Sequence, residues 1–301
     1  MTATFDSGVM SISIKRGRGR KYLPALVMLG PLIAFMFIFY AVPFGNMAYE
    51  SLHSWPGDDK PHVGLSVFQY EKTTQKSRTV KSLKRTFRIS IISTILTFII
   101  CFPITLLLLR SSPRIKVGIL LVTFISLASS LIIRNYGWLV VLADAGPINN
   151  ILIWLKIFEF PKRMAYSEGA IITALVHYCM PFMILPIYGS LLRIPASNAE
   201  ASLSLGANAW TTLRRVILPL SMPGIFGGTM LSFAICMSSY VTPLMLGSPS
   251  TAMVSQVAAE QIEVQLNFPW GSAIIITLTL GSFLIVFIYA ALVSKVMRVD
   301  V

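Results

Sequence analysis

Six apolar stretches recur along the chain, and they restrict its fold more than any other feature of it. They run Tyr22 to Phe44, Ile89 to Leu109, Val117 to about Ala143, Gly169 to Leu192, about Met222 to Gly247, and Gly271 to Ser294. Each approaches or exceeds the roughly 20 residues that carry a helix across hydrocarbon. Backbone groups find no water there, so each stretch has to close its own hydrogen bonds as a helix. The expected fold class is an all-α membrane protein with six transmembrane helices, residues 22–301, behind a basic tail, residues 1–21. The third stretch is the least regular because Arg134 interrupts it. One helix ending near Arg134 and a second segment at the outer surface is the alternative there.

Composition agrees: 55% hydrophobic residues against 12% charged ones, with a mean hydropathy of +0.73, lie outside the range of soluble domains. The net charge of +13 does not point to nucleic acid, because the basic residues fall mostly between the apolar stretches rather than on a soluble face. They speak instead of topology and of anionic lipid. Lys15, Arg16, Arg18, Arg20 and Lys21, then Arg110, Arg114 and Lys116, then Arg193, Arg214 and Arg215, then Lys295 and Arg298 all fall on one side of a six-span chain. By the positive-inside rule that side is cytoplasmic, with both termini. The first stretch is too long for a signal peptide and lacks a small-x-small cleavage site, so it is expected to stay as a helix.

One segment opposes this topology. Lys72, Lys76, Arg78, Lys81, Lys84, Arg85 and Arg88 lie between the first two spans, on the outer side. Val80, Leu83 and Phe87 recur among them at helical spacing, which predicts an amphipathic helix leading into the second span. It is expected to be interfacial, or else a docking surface for an outside partner. Cys101, Cys179 and Cys236 are far apart in sequence and lie in apolar runs, as expected of small buried hydrophobes, with neither a disulfide framework nor a metal spacing.

The polar loop 195–221 stands out against this background. Pro195, Ser197 and Asn198 stop the fourth span, and Ala199, Glu200 and Ala201 suit a first helical turn with an acid at its positive end. A short helix from about Asn198 to Leu205 is expected. Gly206 then supplies a left-handed turn or a close backbone approach. Trp210, Leu213 and Ile217 predict a second short helix with one apolar stripe, stopping at Pro219. The pair would form a knob on the cytoplasmic side.

These residues carry a specific resemblance. Glu200, Ala201, Gly206 and Pro219 resemble the E-A-A, G and L-P signature of the membrane subunits of ABC importers. Arg134-Asn135-Tyr136-Gly137-Trp138 with Gly146-Pro147-Ile148-Asn149, Pro181 to Tyr188, Pro223-Gly224-Ile225 and Thr242 to Gly247 are similar to successive motifs of their spermidine and putrescine branch. Ser202 departs from the second alanine, Ser238-Ser239-Tyr240 stands where relatives often have glycine and an acid or aromatic residue, and Gly247-Ser248-Pro249 replaces a double glycine. The resemblance implies the type I importer permease fold, in a bacterial inner membrane. It also implies a second related permease subunit, two separate ATPases that bind ATP and Mg, and an extracytoplasmic substrate-binding protein. In that family Glu200, Ala201, Ser202, Leu205, Gly206, Ala207, Trp210 and Pro219 would couple the chain to the ATPases. The cargo implied is polyamine-like; opines, amino-acid derivatives and phosphonates are the alternatives.

Candidate pathway residues follow from polarity at membrane depth. They are Arg134, Tyr136 and Trp138, His177 and Tyr178, and the cluster Ser238, Ser239, Tyr240 and Thr242. Arg134 has the simpler alternative of reaching the interface, and the serine cluster that of joining helices. No metal is expected at His177, since Cys179 and Met180 do not complete a ligand set. The chain has no G-x-x-x-x-G-K-[ST], so ATP hydrolysis is expected elsewhere and no cofactor or catalytic residue here. An ion-coupled transporter would place acids in the spans, which hold almost none; a membrane enzyme or scaffold is the remaining rival.

Overall fold

The computed structural model describes residues 23–58 and 64–299; the tail 1–21 and Tyr22 lie outside them. Among the described residues every regular element is helical. The chain divides into two units, residues 1–49 and 50–301. In the first, α1 (Leu23–Met36) passes through a π turn, Phe37–Ala41, into α2 (Val42–Glu50).

The second unit opens with α3 (Phe68–Gln75) and the long α4 (Ser77–Arg110). Then come α5 (Pro113–Ala128), α6 (Leu131–Val141), α7 (Pro147–Trp154) and α8 (Glu168–Leu191). Two short helices, α9 (Ala196–Ser204) and α10 (Ala209–Thr212), lead through a π turn, Leu213–Ile217, into α11 (Leu218–Ser238). The chain finishes with α12 (Val241–Leu246), α13 (Val254–Ala259), a π turn at Glu260–Val264 and α14 (Phe268–Val299). Among the described residues five helices are long and apolar enough to cross a membrane, or six when the bent pair α5 and α6 is one span.

Three boundaries differ from the sequence reading. The third stretch breaks at Ser129 and Ser130, ahead of Arg134, and bends by 105°. Arg134 itself caps the break: its guanidinium donates to the carbonyl of Ser126 and, at 3.2 Å, to that of Ser129, which α5 leaves without helical partners. The fifth helix ends at Ser238 and not at Gly247. Pro243 has no N–H to offer the Ser239 carbonyl, which accepts from Ser255 Oγ at 2.6 Å instead. Finally, the basic stretch is not one helix: Lys72 lies in α3, Lys76 at the junction, and Arg78 to Arg88 in the first turns of α4, continuous with the second span.

Three of its arginines pair with acids elsewhere in the fold, while Lys76, Lys81 and Lys84 stay exposed. Arg78 pairs with Glu260 at 2.6 Å, Arg85 with Glu168 at 2.8 Å, and Arg88 with Glu168 as well. Leu83 packs with Val254, Val257 and Ile274, and the Phe87 ring lies over Gly281 of α14. Nearby, Lys72 pairs with the buried Asp58 at 2.6 Å and sits 4.5 Å from the Trp270 ring centroid.

The centre of the unit is α8 packed against α4 and α11. On α4 the buried face is mostly small, with Ser82, Thr86, Ser90, Ser93, Thr97, Cys101 and Thr105 joined by Ile89 and Leu108, while Ile92, Ile95 and Ile99 are exposed. Water does not drive helices together in lipid, so small side chains that admit close backbone approach make most of the seam and most of the bulky ones face outward. Several hydroxyls bond back to their own helix, as Thr94 to the Ser90 carbonyl and Thr97 to that of Ser93, both at 2.7 Å. Gly224 and Gly228 do the same work on α11: a Cβ at Gly224 would stand 2.5 Å from the Pro186 carbonyl oxygen, and one at Gly228 3.2 Å from Met183 Cα. Pro181 and Pro186 lie within a continuous α8. All three cysteines are buried, and the packing brings Cys179 and Cys236 to 3.6 Å between sulfurs, a neighbourhood that sequence separation hid.

Candidate functional site

The knob is built by local rules. α9 starts at Ala196, two residues before the expected Asn198, with Pro195 at its cap. Glu200 therefore occupies the second turn and lies exposed, away from the first-turn position expected of it. The helix closes in a Schellman motif: the Ala207 N–H donates to the Ser202 carbonyl at 3.1 Å and the Gly206 N–H to that of Leu203 at 3.0 Å. Gly206 sits at φ +82°, with open space where a Cβ would be. Of the two reasons for a glycine, the left-handed turn applies here.

Asn208 then caps α10, its Oδ1 accepting from the Thr211 N–H at 2.8 Å. Ser202 Oγ and Thr212 Oγ1, 3.0 Å apart, tie the two short helices together. That bond is available because serine stands at the position where the resemblance has alanine.

The expected apolar stripe divides. Ile217 packs inward with Ile194, Leu218 and Met222 around Leu191 and Ile225. Trp210, in contrast, is 68% exposed and Leu205 88%. Pro219 does not end the helix. The π turn makes the Leu218 N–H donate to the Leu213 carbonyl, and Pro219 follows as an early residue of α11 where its missing N–H breaks no established ladder. The knob is thus one rigid arm with the fifth span. Ala201 is exposed beside Glu200, and Ala207 is half-buried below the turn.

The candidate pathway residues fall into two groups. Arg134 lies 5.2 Å from the Tyr178 ring centroid, and Trp138 Nε1 donates to His177 Nδ1 at 3.2 Å. His177 also lines a cavity of about 300 Å³ with Ser126 and Met180. Ser238 and Tyr240 line a different cavity, of about 420 Å³, with Ser255, Glu263 and Thr279. Thr242 lines neither: it is buried, and its Oγ1 accepts from Asn135 Nδ2 at 3.2 Å, joining α6 to α12. Ser239 contributes its carbonyl to Ser255, and Tyr136 is 63% exposed.

Two motifs prove architectural. Gly146 leaves no room for a Cβ, which would meet the Val140 and Val141 carbonyl oxygens at 2.6 and 2.7 Å. Buried Asn149 donates to the carbonyls of Ala143 and Lys162 and accepts from the Lys162 N–H, fastening the segment between α6 and α8. Glu263 is the acid in the larger cavity, and unlike Glu168 and Glu260 it has no ion pair among the described residues.

Among the described residues no group of three or more His, Cys, Asp or Glu side chains is placed to hold a metal.

Comparison with known proteins extends this picture. The chain is 33% identical over 198 residues to the spermidine/putrescine transport system permease protein PotB of Haemophilus influenzae, covering 66% of this chain and 69% of that one. It is 28% identical over 207 residues to PotB of Salmonella typhimurium, covering 69% and 72%. In structure it is similar to a bacterial alginate ABC transporter solved in complex with an alginate pentasaccharide-bound periplasmic protein. The TM-score is 0.76 and the identity 14%, over 92% of this chain and 96% of that one, which shows the fold. The family of binding-protein-dependent transport system inner membrane components matches residues 21–298. The chain belongs to that family, as a membrane permease subunit of a binding-protein-dependent importer.

Proposed function

We propose that this permease imports polyamines. The observation that carries the reading is the 33% identity to a spermidine/putrescine permease, sustained over 198 residues. The energy would come from separate ATPase subunits that bind ATP and Mg. The chain would pair with a second, related permease subunit and receive its cargo from an extracytoplasmic binding protein; the alginate transporter was solved in complex with a periplasmic protein that holds an alginate pentasaccharide. Both termini would be cytoplasmic, with the basic tail 1–21 and the knob 195–221 on that side.

The knob has the form such coupling needs. Leu205 and Trp210 present unpartnered apolar surface beside a rigid Schellman turn, and large, stiff apolar side chains are the usual anchors of an interface. Glu200, Ala201, Ser202, Gly206 and Ala207 shape the surface, and Pro219 joins it stiffly to α11. A push on the knob would then move the fifth span as one body. The groups around His177 and around Tyr240 would flank the route.

Reconstitution of the chain with the transport subunits encoded beside it tests the reading. ATP-dependent accumulation of labelled spermidine or putrescine in proteoliposomes is expected. Uptake of an opine or phosphonate in preference to any polyamine would overturn the cargo. Uptake driven by an ion gradient after ATP depletion would overturn the energy source.

A further inference from the structure

The cavity between the end of α11, α13 and α14 has a property that none of the family motifs describes. Besides Tyr240, three hydroxyls line it, and each of the three spends its proton on a backbone carbonyl. Ser238 Oγ donates to Ala234 at 3.0 Å, Ser255 Oγ to Ser239 at 2.6 Å, and Thr279 Oγ1 to Ile275 at 2.8 Å. What they turn toward any occupant is lone pairs. Glu263 adds a carboxylate, another acceptor.

Glu263 is also the acid that the protein leaves uncompensated here. Glu260, three residues earlier, chelates Arg78 through both oxygens, at 2.9 and 2.6 Å. The π turn Glu260–Val264 is wider than an α turn and rotates Glu263 off the face that carries Glu260. Glu263 forms no ion pair among the described residues. The other walls are aliphatic, with Ile275 and Leu278 of α14 facing Val254 and Ala258 of α13. At about 420 Å³ the cavity is within the range of small-molecule sites.

Apart from the Tyr240 hydroxyl, which donates or accepts as its rotor turns, the rim only accepts, and over aliphatic walls such a rim matches one ligand chemistry: an ammonium group, which only donates, at the end of a methylene chain. We propose that this cavity is an ammonium subsite of the permease, in which Glu263 holds one charged end of an aliphatic amine while Ser238 and Tyr240 orient it and the α13 and α14 walls carry its methylenes. The proposal rests on the polyamine reading above and adds to it a residue and a place.

The test uses the complete importer, with its ATPases, second membrane subunit and binding protein, in proteoliposomes. Wild type, E263Q and E263D are compared for initial uptake of labelled spermidine and for ATP hydrolysis stimulated by loaded binding protein. E263Q keeps the shape and removes the charge, so its uptake is expected to fall about tenfold or more, the size of a lost charge-assisted hydrogen bond. Its stimulated ATP hydrolysis should stay near wild type, and E263D should keep most of the uptake. Wild-type uptake of polyamine with E263Q equal to it overturns the subsite alone. Loss of both uptake and ATP hydrolysis in E263Q also overturns it, by assigning the residue to assembly. Failure of the wild type to take up any polyamine is a different result, and overturns the cargo reading on which the subsite depends.

Discussion

Gly206 and Gly224 flank the same π turn and are glycine for opposite reasons. Gly206 has a left-handed backbone, φ +82°, and open space around it. Gly224 has an ordinary backbone and no space, with the Pro186 carbonyl 2.5 Å from where a Cβ would stand. The two regions differ in the same way. The α8–α11 seam is completed within the chain, whereas the knob is completed only locally and leaves its largest apolar side chains bare.

Substitutions should separate them. The largest effect is expected at the seam: G224V forces backbone apart and should destabilise the purified subunit by about 3 kcal/mol, read as a lower thermal midpoint and poor recovery from membranes. G228A should cost less, because its nearest neighbour is the flexible Met183 sulfur at 3.0 Å. At the knob, W210A should leave the thermal midpoint unchanged, since the side chain is exposed. It should instead weaken retention of the partner ATPase by about 2 kcal/mol, the scale of an interface anchor, measured by titrating ATPase onto permease in nanodiscs. If W210A lowers stability and spares that affinity, the distinction between seam and knob fails.

G206A should cost about 1 kcal/mol, the steric penalty of a left-handed L-residue, and G206N should recover part of it because asparagine tolerates that backbone. A bulky residue at Gly206 should stop uptake while leaving the affinity of the binding protein for its cargo intact. The smallest effect is expected at the far end of the bundle, where polar groups are paired within the chain. Burial raises the Asp58 pKa, but hydrogen bonds from Lys72, the Trp55 N–H and Gln69 and the Lys72 charge outweigh it and hold the carboxyl below its ordinary value. A depressed carboxylate contributes stability above its unfolded pKa of about 4, and the contribution is lost as pH falls through the folded one. Protection of the α3 amides, measured as exchange relative to the unfolded chain at each pH, should therefore stay high from neutral pH to about pH 5 and fall below about pH 4; in D58N that fall should disappear.

Much of the knob was legible in advance because its rules are local. A glycine after a small-residue helix admits a left-handed turn or a close approach, and the backbone at φ +82° takes the first; the Asn208 cap of α10, at 2.8 Å, was not among the expected features. Pro219 misled because proline ordinarily stops a helix from within, and a π turn just before it removes the conflict. The α4 seam was hidden for a different reason. Hydropathy finds the isoleucines that face lipid and overlooks the serines and threonines that face the protein. The basic outer stretch was equally opaque, since Arg85 and Glu168 are separated by 83 residues and only the packing of α4 beside α8 brings them to 2.8 Å.

By itself, the sequence determined the class of molecule, the number of candidate spans and the existence of a knob at Gly206. Those depend on the cost of unpaired backbone in hydrocarbon and on the conformational needs of single residues, both of which act over a few neighbouring positions. Only the tertiary structure decided which charges are already matched, that Glu263 is left over beside three proton-spent hydroxyls, and that Gly224 is a point of contact. Those depend on which helix lies against which, and in a bilayer small side chains and polar pairs decide that, leaving a far weaker trace in hydropathy than the lipid-facing residues do.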